Sequence, residues 1–121
     1  MKSRIHAIEV ATFGQLLDGR EAHIYTLINQ NGMSAVVSDY GATLVSVFTP
    51  NRDGEIQDLL HGYDSVDGYA GSANPYFGNS VGRFGNRICD GKFTLHGKEY
   101  ALETNNDPGG IPCHLHGGVD G

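Results

Sequence analysis

Short segments in which apolar and polar residues alternate, separated by glycine- and asparagine-containing turns, make up most of the chain. A period of two, combined with β-branched and aromatic residues, is typical of strands that bury one face. Residues 65–69 begin with a helix-start residue, Ser65, but are too few to predict a helix. The pattern therefore predicts an all-β fold, with strands over 5–10, 22–28, 33–38, 43–48, 57–61, 88–95 and 98–102.

The turns between these strands carry their own signals. Asn31-Gly32 and His96-Gly97 each lie between two predicted strands, and Asn-Gly is a strong hairpin signal. Tyr40-Gly41-Ala42 interrupts the third strand and predicts a bulge or a change of strand. Along 43–48, Leu44, Ser46 and Phe48 are expected on one side and Val45 and Val47 on the other. Loops are expected over 71–82 and 105–112.

One stretch, 78–88 (GNSVGRFGNRI), differs from an ordinary turn. Its glycines indicate unusual backbone dihedrals or close approach by another group. Between them lie fork-shaped donors (Arg83, Arg87) and planar amides (Asn79, Asn86), which suit hydroxyl-rich or carboxylate ligands. A second polar stretch, 114–118 (HLHGG), lies near the end of the chain. We expect the two stretches to meet and form part of a sugar site.

Composition and charge exclude several classes of protein. The 121 residues are 39% hydrophobic and 18% charged, which is typical of a globular domain rather than a disordered or membrane-spanning chain. A net charge of −6 argues against a nucleic-acid partner. The first residues show no signal-peptide pattern and no apolar run approaches membrane-helix length, so a cytoplasmic protein without a membrane partner is expected.

Two cysteines, Cys89 and Cys113, allow either a disulfide or two free thiols, and a reducing compartment favours the thiols. On a strand, His114 and His116 would share one face beside Cys113. No second cluster of ligands completes a zinc pattern, so no metal site is expected.

Four motifs follow one another along the chain: GRFGNRI at 82–88, a hairpin at 91–100, Asn105-Asn106 and LHGG at 115–118. As a set they resemble the galactose mutarotase (aldose 1-epimerase) family. Tyr40-Gly41-Ala42 and Gly62-Tyr63-Asp64 also match in order, so the resemblance runs from about Phe13 to Gly121. It implies an antiparallel β-sandwich, of the galactose mutarotase-like supersandwich type, in which residues 1–121 are the N-terminal part of one domain. It also implies interconversion of the α and β anomers of free aldoses such as galactose and glucose, without a cofactor.

Ring opening needs a base for the anomeric hydroxyl and an acid for the ring oxygen. In the family these are a glutamate near the C-terminus and a mid-chain histidine, and neither position is matched within these 121 residues. The resemblance assigns substrate binding to Asn86, Arg87 and His116. His116 also takes a catalytic role, supporting charge on the ring oxygen. We therefore expect no mutarotation by these residues alone.

Each of these residues also has a structural interpretation. Arg87 is alternatively a surface arginine or a partner of Asp90 or Glu99, and His116 a turn residue. Arg83 is expected as a buried strut in the glycine-rich stretch rather than a ligand contact. Glu99 and Glu103 are four residues apart, a spacing that places both on one face of a strand. A solvated strand face explains them better than a glycosidase-type carboxylate pair does.

Two function classes follow. The first is an aldose 1-epimerase whose remaining part lies outside these residues. The second is a non-catalytic β-sandwich module that binds carbohydrate or another protein. The expected partners are a small-molecule aldose and either a C-terminal complement or further copies of the chain, because a partial sandwich leaves open edges and uncovered apolar faces.

Overall fold

Five consecutive strands form one antiparallel sheet in the first part of the chain. The computed structural model describes residues 5–71 and 76–119, and the chain divides into two units, 1–80 and 81–121. In the first unit the strands follow one another in space in the order β1-β2-β3-β4-β5. Their bounds are β1 Ile5–Gln15, β2 Glu21–Asn29, β3 Ser34–Ser38, β4 Leu44–Pro50 and β5 Ile56–Asp58.

Asparagine side chains close two of the turns in this sheet. The Oδ1 atom of Asn29, at the end of β2, accepts hydrogen bonds from the backbone N–H groups two and four residues later, at 2.8 and 3.0 Å. Asn51 does the same after β4, at 2.9 and 3.0 Å. Gly32 and Gly54 supply the positive φ angles, 81° and 85°. The Asn31-Gly32 hairpin is therefore present as predicted.

One face of the sheet carries the core of the first unit, and a short helix packs on it. The helix, α1, spans Val66–Ala70 and buries Val66 completely and Tyr69 almost completely. Gly14 permits this contact, since a Cβ there would lie 3.0 Å from a Val66 methyl group. The prediction that this segment is too short for a helix was wrong. Burial of Val66 and Tyr69 stabilises a helix of five residues, which intrinsic helix propensity alone would not stabilise. The buried core residues are Phe13, Ala22, Val36, Val45, Val66 and Tyr69.

A register shift opposite Val36–Val37 interrupts the alternation of β4. Val45 belongs to the buried core, whereas Val47 lies opposite Ala35 and lines an apolar depression with Leu27. Val45 and Val47 therefore do not share one environment, contrary to the alternation read from the sequence. The extra residue of a bulge changes which face the following side chains occupy.

Within residues 81–119, the second unit contains four short strands and one 3₁₀ turn at Pro108–Gly110. Strand β6 pairs with β9 and β7 pairs with β8, both antiparallel. His96 and Gly97, at φ 51° and 77°, form the predicted turn of the second hairpin. The strand bounds are β6 Arg87–Cys89, β7 Lys92–Leu95, β8 Lys98–Ala101 and β9 Cys113–Leu115.

The predicted continuous strand 88–95 is instead two strands in different sheets. Asp90 and Gly91 separate them, and both have positive φ, 54° and 60°. A Cβ at Gly91 would lie 2.6 Å from the carbonyl oxygen of Leu102, so the backbones approach closely there. The all-β antiparallel class is confirmed, although this break and the short helix α1 were not predicted. Within 5–71 and 76–119, no helix is long and apolar enough to cross a membrane.

Candidate functional site

Asn86 and His116 face each other across the end of the β6–β9 ladder. The His116 N–H donates to the Asn86 carbonyl oxygen at 3.1 Å, and the Asn86 N–H donates to His116 Nδ1 at 3.0 Å. Both residues have positive φ, 67° and 54°. Such a conformation is uncommon outside glycine and persists where surrounding contacts hold it, often at functional sites. The two hydrogen bonds between Asn86 and His116 are contacts that hold both backbones in this conformation.

The Asn86 N–H also determines the tautomer of His116. A backbone N–H can only donate, so Nδ1 accepts and the neutral ring carries its proton on Nε2. His116 is therefore a hydrogen-bond donor at Nε2 in its neutral form. His114 is two residues earlier, on β9, and its Nδ1 lies 2.9 Å from the Glu103 carbonyl oxygen. Because β9 ends at Leu115, the two histidines do not share a strand face.

Two amide side chains hold the guanidinium of Arg87. Its Nε donates to Asn106 Oδ1 at 2.9 Å and its Nη1 donates to Asn86 Oδ1 at 3.2 Å. Arginine has five N–H donors, so these bonds engage two of them and fix the plane of the group. Arg87 is exposed, and no carboxylate of the described residues lies within ion-pair distance of it. The alternative pairing with Asp90 or Glu99 is thus not the arrangement found.

Asn105 and Glu103, which lie just before Asn106 in the chain, bond the segment that contains His116. The Asn105 amide donates to the Leu115 carbonyl oxygen at 2.9 Å and accepts from the Leu115 N–H at 2.6 Å. The Glu103 carboxylate accepts from the Val119 N–H at 2.9 Å. Segment 103–106 therefore contacts both sides of the site, Arg87 on one and the 115–119 backbone on the other. Sequence reasoning missed this role, since it placed Glu103 on a solvated strand face.

The glycines after His116 allow this close packing. Gly117 and Gly118 have φ of 95° and 100°. A Cβ on Gly118 would overlap the Glu103 carboxylate and lie 2.9 Å from a carbon of the His114 ring. A glycine is thus required at 118 on two grounds, the backbone angle and the approach of Glu103.

Arg83 and Asn79 are further polar residues of the glycine-rich stretch. Arg83 is exposed, so the prediction of a buried strut was wrong. Asn79 belongs to the first unit, where its Oδ1 accepts from the Thr43 hydroxyl at 3.4 Å. The two stretches meet along the β6–β9 ladder, where Arg87 lies opposite Leu115 and Ile88 opposite His114, and at the Asn86–His116 pair at its end. No group of three or more His, Cys, Asp or Glu within the described ranges is arranged to hold a metal ion.

Comparison with known proteins agrees with this arrangement of motifs. Residues 23–121 match the family model described as aldose 1-epimerase. The chain is 38% identical to galactose mutarotase of Bos taurus over 111 residues, which are 92% of this chain and 31% of that protein. It is 36% identical to aldose 1-epimerase of Escherichia coli (strain K12) over 104 residues, covering 86% of this chain and 29% of that enzyme.

Solved structures agree as well. The galactose 1-epimerase of Lactobacillus acidophilus NCFM superposes with a TM-score of 0.70 at 27% identity, over 93% of this chain and 31% of that one. An aldose epimerase homologue from C. elegans superposes with a TM-score of 0.66 at 28% identity. The chain thus spans about three-tenths of the length of the relatives it matches. The predicted family is confirmed: the chain belongs to the aldose 1-epimerase family.

Proposed function

We propose that this chain supplies sugar-binding side chains of an aldose 1-epimerase that interconverts the anomers of a free aldose such as galactose or glucose. The observation that carries the proposal is the cluster formed by Asn86, Arg87 and His116 at the end of the β6–β9 ladder. Three planar polar groups are held there by backbone and amide contacts, so each offers donors in fixed directions. Such preorganised donors suit the closely spaced hydroxyl oxygens of a pyranose.

Each side chain has a distinct part in this proposal. The Arg87 guanidinium donates to sugar hydroxyls from the edge that the Asn106 and Asn86 oxygens do not engage. The Oδ1 atom of Asn86 accepts from Arg87, which leaves its Nδ2 as the group that donates to a hydroxyl. The His116 Nε2–H donates to the ring oxygen, where negative charge develops as the C1–O bond breaks.

The same tautomer explains why one histidine does not complete the reaction. Mutarotation removes a proton from the anomeric hydroxyl and adds one to the ring oxygen. Neutral His116 has its proton on Nε2, and its only acceptor nitrogen is used by the Asn86 N–H. It can therefore support the ring oxygen but cannot also remove the anomeric proton. The acid and base implied by the family resemblance come from residues beyond these, and the chain alone is proposed to be inactive.

The second candidate is a non-catalytic module that binds carbohydrate or another protein. It is favoured by one observation: Nδ1 of His116 accepts the Asn86 N–H, so the cluster offers hydrogen-bond donors to a sugar while this nitrogen is already engaged and does not serve as a base. In either case we propose that the chain acts with a C-terminal complement or self-associates. A cytoplasmic location is proposed because both cysteines are free thiols, which is typical of reducing compartments.

A chimeric enzyme distinguishes the two functions. Residues of this chain replace the matching segment of the Escherichia coli aldose 1-epimerase, and polarimetry follows freshly dissolved α-D-glucose and α-D-galactose in weak buffer. If the chain is part of an epimerase, the chimera should catalyse mutarotation, and His116→Ala in the chimera should abolish that activity. A folded chimera that binds galactose without accelerating mutarotation would support the non-catalytic module. The isolated chain is expected to show no acceleration beyond that of its own His116→Ala variant.

A further inference from the structure

Cys89 and Cys113 occupy opposite positions in the β6–β9 ladder. On either side of them, the His116 N–H bonds the Asn86 carbonyl at 3.1 Å and the Asp90 N–H bonds the Pro112 carbonyl at 2.8 Å. Hydrogen-bonded and non-hydrogen-bonded pairs alternate along an antiparallel ladder, so the cysteines form a non-hydrogen-bonded pair. The backbone N–H and carbonyl of Cys113 accordingly bond Asn106 on the other side of the strand, at 2.8 and 3.2 Å.

This position meets the geometric needs of a disulfide. Opposite residues in a non-hydrogen-bonded pair have Cα atoms about 4.5 Å apart and side chains on the same face. A disulfide tolerates Cα separations of about 4.4–6.8 Å. The two thiols now lie against different acceptors, Cys89 Sγ at 3.8 Å from Asp90 Oδ2 and Cys113 Sγ at 3.5 Å from Asn106 Oδ1. Rotation of the two side chains toward each other is therefore the main change that bond formation requires.

The two thiols differ in access, which sets the order of the reaction. Cys89 is exposed, whereas Cys113 has a relative exposure of 2%. A dissolved disulfide reagent therefore meets Cys89 first. Cys113 is reached from within the chain, by the sulfur of Cys89 across the ladder.

We propose that Cys89 and Cys113 are a site of reversible covalent modification, an intrachain disulfide formed by exchange with a small disulfide such as oxidised glutathione. The Cys89 thiolate attacks one glutathione sulfur, forming a mixed disulfide and releasing one glutathione thiolate. The Cys113 thiol loses its proton and its sulfur then attacks Cys89 Sγ, which releases the second glutathione thiolate. The two protein thiols are oxidised, and oxidised glutathione is reduced to two thiols.

The disulfide would form beside Asn106, the residue that bonds Arg87. Asn106 Oδ1 accepts from Arg87 Nε and also contacts the Cys113 thiol. Oxidation removes the thiol from this shared oxygen and links β6 covalently to β9. The link lies two residues from Arg87 on β6 and two residues from Leu115, the last residue of β9 before His116. The disulfide itself does not depend on the proposed sugar-binding function.

Intact mass measurement of the chain tests this proposal. The monomeric fraction is treated with oxidised glutathione, denatured and alkylated. The expected product is a monomer that has lost the mass of two hydrogen atoms, carries no glutathione and alkylates at neither cysteine. Dithiothreitol then restores both thiols.

Two matched variants separate the steps. Cys113→Ser should retain one glutathione on Cys89, because the resolving sulfur is missing. Cys89→Ser should react far more slowly, since Cys113 is buried. The proposal is overturned if the wild-type chain keeps a stable glutathione adduct, forms only disulfide-linked dimers, or still alkylates at both cysteines.

Discussion

Replacing Arg87 with alanine in the chimeric enzyme should lower kcat/KM for galactose. The guanidinium is exposed and held flat by Asn106 and Asn86, so it can donate a charged hydrogen bond to a hydroxyl without first being ordered. Such a bond contributes about 1.5–3 kcal/mol, which corresponds to a loss of about 10-fold to about 150-fold in kcat/KM. Arg87→Lys should recover little, because an ammonium group cannot bond both amides in one plane.

Asn106, which bonds the Arg87 guanidinium, provides a control for this prediction. Asn106→Ala removes one neutral acceptor from the guanidinium and should cost about 0.5–1.5 kcal/mol, or about 2-fold to about 10-fold in kcat/KM. Because Asn106 acts through Arg87, the double variant should be no worse than Arg87→Ala alone. Arg52→Ala, which changes an exposed arginine in the β4–β5 turn, should leave the kinetics unaltered. Unchanged kinetics in Arg87→Ala, or fully additive losses in the double variant, would refute the assigned geometry.

Further predictions concern stability and assembly. Asn105→Ala should lower the free energy of unfolding by about 1–3 kcal/mol, measured by urea denaturation, because two Leu115 backbone groups lose their partner; an unchanged midpoint would contradict this. Gly118→Ala should destabilise the chain more than an alanine at the exposed Gly19, since a Cβ at 118 would overlap the Glu103 carboxylate whereas a Cβ at 19 would have nothing within 4 Å. The His23 backbone N–H, followed by the His23 side chain, holds the pKa of Asp39 below 3.8, so this carboxylate stabilises the fold above that pH. That stability should be lost as pH falls through the lowered pKa, and Asp39→Asn should flatten the acid limb of the stability curve. Sedimentation of the isolated chain should show self-association, whereas a concentration-independent monomer with a sharp melt would argue for a self-sufficient domain.

The hairpins could be predicted from sequence because their determinants are local. His96-Gly97 specifies its own turn through two adjacent positive φ angles, and Asn29 and Asn51 close their turns within four residues. The short helix could not be predicted in this way. Val66–Ala70 is stabilised by burial of Val66 and Tyr69 against residues more than forty positions earlier, such as Phe13.

The residues of the candidate site also differ in how far they could be predicted from the sequence. Asn86, Arg87 and His116 follow from a motif whose members carry recognisable donors. The contacts that position them could not be predicted, although Asn105-Asn106 is itself one of the motifs, because each contact spans a long stretch of chain. Asn106 bonds Arg87 and Glu103 bonds Val119. The alternation of a strand assigns Glu103 to one face of the strand. It does not predict that the Glu103 carboxylate accepts a hydrogen bond from the Val119 N–H. The Asp90–Gly91 break was missed for a related reason, since alternation continues on both sides of it.

We propose above that Asn86, Arg87 and His116 together bind an aldose. The most direct test is a galactose titration of the ¹⁵N-labelled chain, followed by backbone amide and arginine Nε–H resonances, with glycerol at equal hydroxyl concentration as the control. Saturable shifts should concentrate at these three residues and at Asn106, and Arg87→Ala should remove them. Shifts that match those with glycerol, that lie elsewhere in the chain, or that persist unchanged in Arg87→Ala would show that these three residues do not bind the sugar.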